Sequence, residues 1–339
     1  MYIVYNIYLC FPYSITMKYF FSVDWGTSSL RVRLVSINDN SINICHEVTN
    51  SFGCAAIYES FKNEKEGTSR EDYFLGFLRP YLLIPDSVSP QGSVPVVISG
   101  MATSSIGIRE IPYSPLPFTL DGSSLRHETI RCSEKFDHNV LLLSGVCSED
   151  DVMRGEEVQL LGLLHQQARD GEALFILPGT HSKHIHVKGN HMTFFKTYIT
   201  GEMFQILSTY SLLKNSITKS PSIDKEAFQK GLELSQGNIL HDVFTIRALT
   251  LLDKAENSAN YSLLSGLLIG TELRDIVHLD LPIFLCAHDN LMDSYILAIQ
   301  ELSMQKQCTV VPADQVDKSV IYGQKIILDK VWDELKTIG

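Results

Sequence analysis

Phe21-Ser22-Val23-Asp24-Trp25-Gly26-Thr27-Ser28-Ser29 and Ile176-Leu177-Pro178-Gly179-Thr180-His181-Ser182-Lys183 decide the reading of this chain. Each stretch closes an apolar run, Tyr19–Val23 in the first case and Ala173–Leu177 in the second, with a Gly-Thr-x-Ser turn. An alternating, strand-like segment follows each turn. Two turns of small residues, each offering backbone N–H groups, make a clamp for a polyphosphate. The first expectation is therefore a nucleotide held between two related half-molecules.

Working outward, the first half reads as strands Tyr19–Val23, Arg31–Ile37 and Ile42–Val48, the middle one alternating cleanly. A helix through Tyr73–Leu83, a buried strand Val94–Ser99, a Pro- and Gly-containing loop Ala102–Gly122, a strand Val140–Ser144 and a helix Val152–His165 follow. The second half restarts the pattern with strands Ala173–Leu177, Lys183–Lys188 and Met192–Tyr198 and a helix Gly201–Leu213. Helices Ala227–Leu234, Ile239–Leu252 and Tyr261–Val277, strand Pro282–Ala287, helix Leu291–Leu302, strand Cys308–Val311 and a helix near Val320–Lys336 complete it. Three antiparallel strands followed by helix–strand alternation, occurring twice, is an α/β plan with a mixed sheet in each half. The cleft between the halves is the natural ligand site.

With 339 residues the chain exceeds one ordinary core and suits two domains, expected at 17–168 and 169–339. A net charge of −11 without a Lys/Arg block argues against nucleic acid or an anionic membrane as partner. An acidic protein that binds an anion must concentrate its cations locally, so Arg31 and Lys183 beside the turns gain weight. Seven scattered cysteines without a C-x-x-C indicate a reducing, cytoplasmic setting rather than a disulfide framework or a zinc site. Residues 1–16 are apolar, too short to span a membrane and lack a positive n-region. They read as an extension from a misassigned start, with a peripheral strand or anchor as the alternative.

Asp24 ends the first strand where the chain turns through Gly26, and a carboxylate there can hold Mg²⁺ against phosphates. Thr27 and Ser28 add hydroxyls. The plainer alternative is a hairpin turn whose aspartate caps its own loop. In the second turn Gly179, Thr180, His181 and Lys183 supply the other half of the clamp. His184 and His186 share a strand face, but no carboxylate or cysteine stands at ligand spacing, so solvated histidines are expected rather than a metal cluster. The acidic helix head Asp151-Val152-Met153-Arg154-Gly155-Glu156-Glu157 offers a general base or, equally, simple complement to a helix dipole. The loop carrying Ser104, Arg109 and Tyr113 suits a polar substrate rim or an ordinary surface loop. Gly266, within the small-residue run Ser265–Gly270, suits an adenine wall or close helix packing.

FSVDWGTSSLR, ISGMATSSIG, PYSPLPF, SGVCSEDDVMRGEEVQLLG, ILPGTHSKHIHV, YITGEMF, FQKGLE and SGLLIGTEL occur in the same order as in the 2-dehydro-3-deoxygalactonokinase family, which this chain resembles from about Tyr19 to Arg274. The resemblance implies two duplicated ribonuclease-H-like domains, each with a mixed five-stranded sheet flanked by helices, around an interdomain cleft: the actin-like ATPase fold. It implies ATP and Mg²⁺ as cofactors, a small sugar acid as acceptor, and phosphorylation of the 6-hydroxyl of 2-dehydro-3-deoxy-D-galactonate in galactonate degradation. By position Asp24 looks like the Mg²⁺-associated aspartate, Gly26, Thr27 and Ser28 like the first phosphate loop, and Gly179 to Lys183 like the second. Glu156 falls where related sugar kinases hold the base, with Asp151 behind it. Arg154 is the first choice for the substrate carboxylate and Arg109 the second. A homodimer is the expected assembly. The chain departs from the family at Leu285–Asn290 and Val311–Gln315, where contacts to adenosine are expected. The rival readings are a kinase for another sugar or sugar acid, a non-catalytic nucleotide sensor, and a phosphohydrolase.

Overall fold

The computed structural model describes residues 17–38, 41–64, 67–90, 92–166 and 171–336. The expected 1–16 extension and the expected 168/169 boundary lie outside them. The first half contains β1 (Lys18–Trp25), β2 (Leu30–Asn38), β3 (Ser41–Asn50), α1 (Cys54–Lys62), α2 (Arg70–Leu78) and β4 (Val96–Gly100). After these come β5 (Ser114–Pro115), β6 (Phe118–Thr119), β7 (His127–Ile130), β8 (Val140–Leu143), β9 (Val146–Cys147), β10 (Val152–Met153) and α3 (Glu156–Gln166). The second half contains β11 (Glu172–Leu177), β12 (Ser182–Lys188), β13 (His191–Tyr198), α4 (Thr200–Thr209), α5 (Lys225–Leu234) and α6 (Ile239–Leu251). It ends with α7 (Asn257–Leu273), β14 (Ile283–Leu285), α8 (Asp289–Glu301), β15 (Cys308–Val310) and α9 (Ala313–Lys336).

The two large sheets run β3-β2-β1-β4-β8-β7 and β15-β14-β11-β12-β13-β6, beside a small third sheet β10-β9-β5. Both large sheets hold the same five-strand order. Three antiparallel strands lie beside two parallel ones, with β1 parallel to β4 and β11 parallel to β14. The expected five strands become six in each, because β7 adds to β8 and β6 adds to β13. β6 belongs to the first half of the chain yet completes the second sheet.

Period-2 alternation sorts the strand residues into layers. Phe21, Val23, Val32, Leu34 and Ile98 pack against α1 and α2 on one face of the first sheet. Phe20, Val35, Val97 and Leu141 face the other way, and share a core with α3, α9 and Phe175, Ile185 and Phe284 of the second sheet. Leu174, Ile176 and Ile283 close the far face against α5, α7 and α8. Two helices are therefore sandwiched between two sheets. α9 is tied to the first sheet: Gln324 Nε2 donates to Val23 O and to Ser99 Oγ, both at 2.9 Å.

One helix is unexpected and one expected helix start is corrected. Cys54–Lys62 forms α1, which starts at Gly53 with no side-chain cap and so carries little sequence signal. The helix expected from Val152 begins at Glu156, because Val152–Met153 pairs with β9 and Gly155 takes a φ of +111°.

Candidate active site

Both Gly-Thr turns lie at the carboxyl ends of equivalent central strands, β1 and β11. They open into one cleft of about 520 Å³ whose lining includes Gly26, Thr27, Arg154, Glu156, Gly179, Thr180, His181 and Lys183. The halves seat their turns by the same device. Cys54 N and Ala55 N, at the start of α1, donate to Gly26 O and Thr27 O, and Glu202 N, at the start of α4, donates to Thr180 O. The helices approach so closely that a Cβ at Gly53 would stand 2.2 Å from Thr27 O, and one at Gly201 would stand 2.5 Å from Gly179 O. The Gly26 amide is consumed within its turn, donating to Ser29 O at 2.9 Å, so the first turn offers one N–H fewer than expected.

Lys183 is buried, and its Nζ stands 3.2 Å from Glu156 Oε1. Glu156 Oε2 accepts the Arg154 N–H at 3.0 Å. The Arg154 guanidinium lies 4.1 Å over the Tyr113 ring and donates to Thr103 Oγ1 at 2.6 Å, while its buried Nε has no partner among the described residues. An Arg with an unspent donor beside a cleft suits a carboxylate ligand. Glu157 is wholly buried and accepts the Gly155 N–H; burial, reinforced by the Glu156 charge, pushes its carboxyl up to about 8.

Asp24 is half-buried beneath the first turn, opposite Arg31 in the β1–β2 register, and is not part of the cleft lining. Burial raises its pKa; Arg31 and Arg33 oppose the rise and Glu156 adds to it. Several other expected site residues are engaged elsewhere. Asp151 accepts from Thr197 N and Thr197 Oγ1 at 2.6 and 2.8 Å, which ties the halves together and leaves it unsuited to be a base. Arg31 pairs with Glu47 and Asp317 rather than facing the cleft. Arg109 pairs with Glu71 and Glu128, and Ser104 turns its hydroxyl onto Met101 O. Ser28 is exposed outside the lining. Gly266 serves packing: its Cβ would fall 2.1 Å from Phe228 O of α5.

Gln159 and Met101 line the cleft without a sequence signal, while Cys286 and His288, also in its lining, come from the Leu285–Asn290 segment where contacts to adenosine are expected. His288 lies three residues beyond the parallel strand β14, at the strand end where open α/β sheets bind ligands. His184, expected to be solvated, is buried with its Nε2 2.9 Å from Glu272 Oε1. A second cavity of about 210 Å³ opens beside Gly179 and is lined by Thr200, Phe204, Tyr261, Ser265 and Tyr295. A larger cavity, about 790 Å³, sits at the opposite ends of β11 and β12 and is lined by none of the expected site residues. Among the described residues there is no group of three or more His, Cys, Asp or Glu able to hold a metal, and no helix long and apolar enough to cross a membrane.

The chain is similar to proteins of one described family. The family model described as 2-keto-3-deoxy-galactonokinase matches residues 24–319. A 2-dehydro-3-deoxygalactonokinase of Escherichia coli (strain K12) is 33% identical over 61% of this chain and 71% of its own length. A Rhizobium meliloti (strain 1021) protein described as the same kinase is 28% identical over 76% of this chain and 80% of its own. A Sinorhizobium meliloti crystal structure, also described as this kinase, superposes with a TM-score of 0.76 at 26% identity, covering 93% of this chain and 97% of that one. Fold, site and likeness together define a carbohydrate kinase. Within that class, the chain belongs to the 2-keto-3-deoxy-galactonokinase family.

Proposed function

We propose that the protein transfers the γ-phosphoryl group of ATP to the 6-hydroxyl of 2-dehydro-3-deoxy-D-galactonate, within galactonate and galactose catabolism. The observation that carries this reading is the meeting of both Gly-Thr turns at one cleft, with Lys183 and Glu156 paired between them. The doubled five-strand order supports an actin-like ATPase architecture of two ribonuclease-H-like units, divided near 168/169.

In this reading the turns hold the phosphates, and the 210 Å³ cavity beside Gly179 takes the nucleoside between α4, α7 and α8. Ser265, rather than Gly266, then faces it. Phosphoryl transfer depends chiefly on positioning and charge neutralisation. Lys183 turns from Glu156 to the incoming phosphate, which frees Glu156 to accept the hydroxyl proton. Arg154, stacked on Tyr113, receives the sugar-acid carboxylate.

Asp24 suits a divalent cation: its carboxyl makes no hydrogen bond or ion pair among the described residues and stands close to the Glu156 charge. A bound Mg²⁺ would offset the phosphate charge there. The net charge of −11 speaks against nucleic acid or an anionic membrane as partner, the scattered cysteines suit a cytoplasmic setting, and the exposed apolar residues Leu240, Phe244 and Leu251 of α6 suit a homodimer contact.

The test is an assay of purified protein with ATP, Mg²⁺ and either 2-dehydro-3-deoxygalactonate or its gluconate epimer, following ADP and the phosphorylated acid. Faster formation of the galactonate 6-phosphate is expected. ADP release without acceptor, or nucleotide binding without product, would reject the reading.

A further inference from the structure

Behind the second turn, four polar side chains converge on one buried carboxylate. Glu272, near the end of α7, is 2% exposed. Its Oε1 accepts Ser182 Oγ at 2.7 Å and stands 2.9 Å from His184 Nε2. Its Oε2 accepts Tyr295 Oη at 2.8 Å and also Thr200 Oγ1. Ser182 and His184 belong to β12, Thr200 opens α4, and Tyr295 lies on α8, so one side chain joins four elements. The two carboxylate oxygens offer about four acceptor sites, and all are used.

These partners are not scattered through the core. Ser182 is the serine that closes the second Gly-Thr-x-Ser turn. Thr200 precedes Gly201, whose backbone presses on Gly179 and Thr180. Gly179, Thr200, Gly201 and Tyr295 all line the 210 Å³ cavity. A buried charge satisfied only by such a network contributes little to stability over an apolar replacement; what it sets is geometry.

We propose that Glu272 is a positioning residue for the nucleotide. It holds the second turn and the Tyr295 wall at the spacing that lets phosphates and nucleoside be gripped together, and it touches no substrate itself. The inference rests on the nucleotide reading of the cleft. It also explains why this carboxylate lies within the otherwise uncharged run Leu263–Leu273 of α7.

The experiment compares the full chain with Glu272→Gln and with Thr200→Val, measuring ATP binding by calorimetry without sugar and then KM and kcat for both substrates. Glutamine keeps size and burial but turns an NH₂ donor toward two donors. Expected for Glu272→Gln is a rise of about tenfold or more in Kd and KM for ATP, the scale of losing hydrogen bonds to a charged acceptor. KM for the sugar acid should stay within about twofold and kcat at saturating ATP within about threefold, as a purely local change predicts. Thr200→Val should raise the ATP Kd alone, yet add nothing on top of Glu272→Gln, because both act through one acceptor. Unchanged ATP affinity, strictly additive effects, or equal increases in both KM values would overturn the proposal. Should Glu272→Gln fail to fold, Thr200→Val and Tyr295→Phe carry the same comparison. A wild-type protein that bound no ATP would reject the nucleotide reading and this inference together, whereas wild-type binding with insensitive variants would reject the inference alone.

Discussion

Lys183 Nζ stands 3.2 Å from Glu156 Oε1, so a lysine of the second sheet and a glutamate at the head of α3 meet across the cleft. The lysine is 3% exposed and held also by His181 O at 3.3 Å, so its charge is placed rather than free to wander. Lys183→Met removes the cation expected to meet the transferring phosphoryl group and leaves Glu156 unpartnered. Turnover should fall by about 10²–10³-fold, the usual effect of losing one donor to developing charge. Steady-state kinetics check it, and near-normal kcat would remove Lys183 from the chemistry.

Asp24 presents the reverse case, a carboxyl that burial holds partly against ionisation. Asp24→Asn removes an unfavourable buried charge, so the thermal midpoint should hold or rise. Turnover should nevertheless drop by at least about a hundredfold, with a steeper magnesium requirement, because the cation loses its anchoring carboxylate. A parallel loss of midpoint and activity would instead mark Asp24 as structural.

Glu157 predicts a pH dependence of stability. Its carboxyl, ordinarily near 4.5, is pushed up to about 8 by burial, so the folded chain keeps a proton that the unfolded chain releases. Stability present below pH 4.5 is therefore lost as pH rises toward 8, with a slope of up to about 1.4 kcal/mol per pH unit from this one group. Glu157→Gln mimics the protonated form and can still accept the Gly155 N–H. Urea midpoints from pH 5 to 8 should fall less steeply in the variant, which should be the more stable protein at pH 8. Superimposable profiles would show that Glu157 does not titrate in this window.

Arg154 is held by stacking on Tyr113 and by the Thr103 hydroxyl, with its Nε left unpartnered. Arg154→Lys supplies charge without the planar fork. The sugar-acid KM should rise about tenfold or more, the scale of a lost charged hydrogen bond, while KM for ATP stays near wild type. An unchanged sugar-acid KM would move the carboxylate site elsewhere.

The two sheets and their turns are legible in the sequence because strand alternation and Gly-Thr turns are local signals. What escapes is set by partners distant in the chain. Asp151 reads as a second candidate for the general base until Thr197 is brought against it, and Arg109 reads as a substrate ligand until Glu71 and Glu128 claim it. Glu272 is silent in the sequence because its partners lie on three other elements. Two-residue strands such as β9 and β10 have no periodicity to show, and without them α3 is read as beginning four residues early.

Gly201 offers the sharpest test that the second turn is seated by close packing. Its Cβ would stand 2.5 Å from Gly179 O and 2.9 Å from Thr180 Cα, both backbone atoms that no rotamer change can relieve. Gly201→Ala must therefore push the turn away from α4 or shift the start of the helix. Alanine is the better helix former, so α4 itself gains slightly and any loss is chargeable to the contact. If that turn grips phosphate, KM for ATP should rise several-fold or more and the sugar-acid KM should change little, while far-ultraviolet dichroism keeps its native shape. An alanine variant with wild-type ATP affinity would mean that the turn can move by several tenths of an ångström without consequence, and its role as half of the clamp would have to be given up.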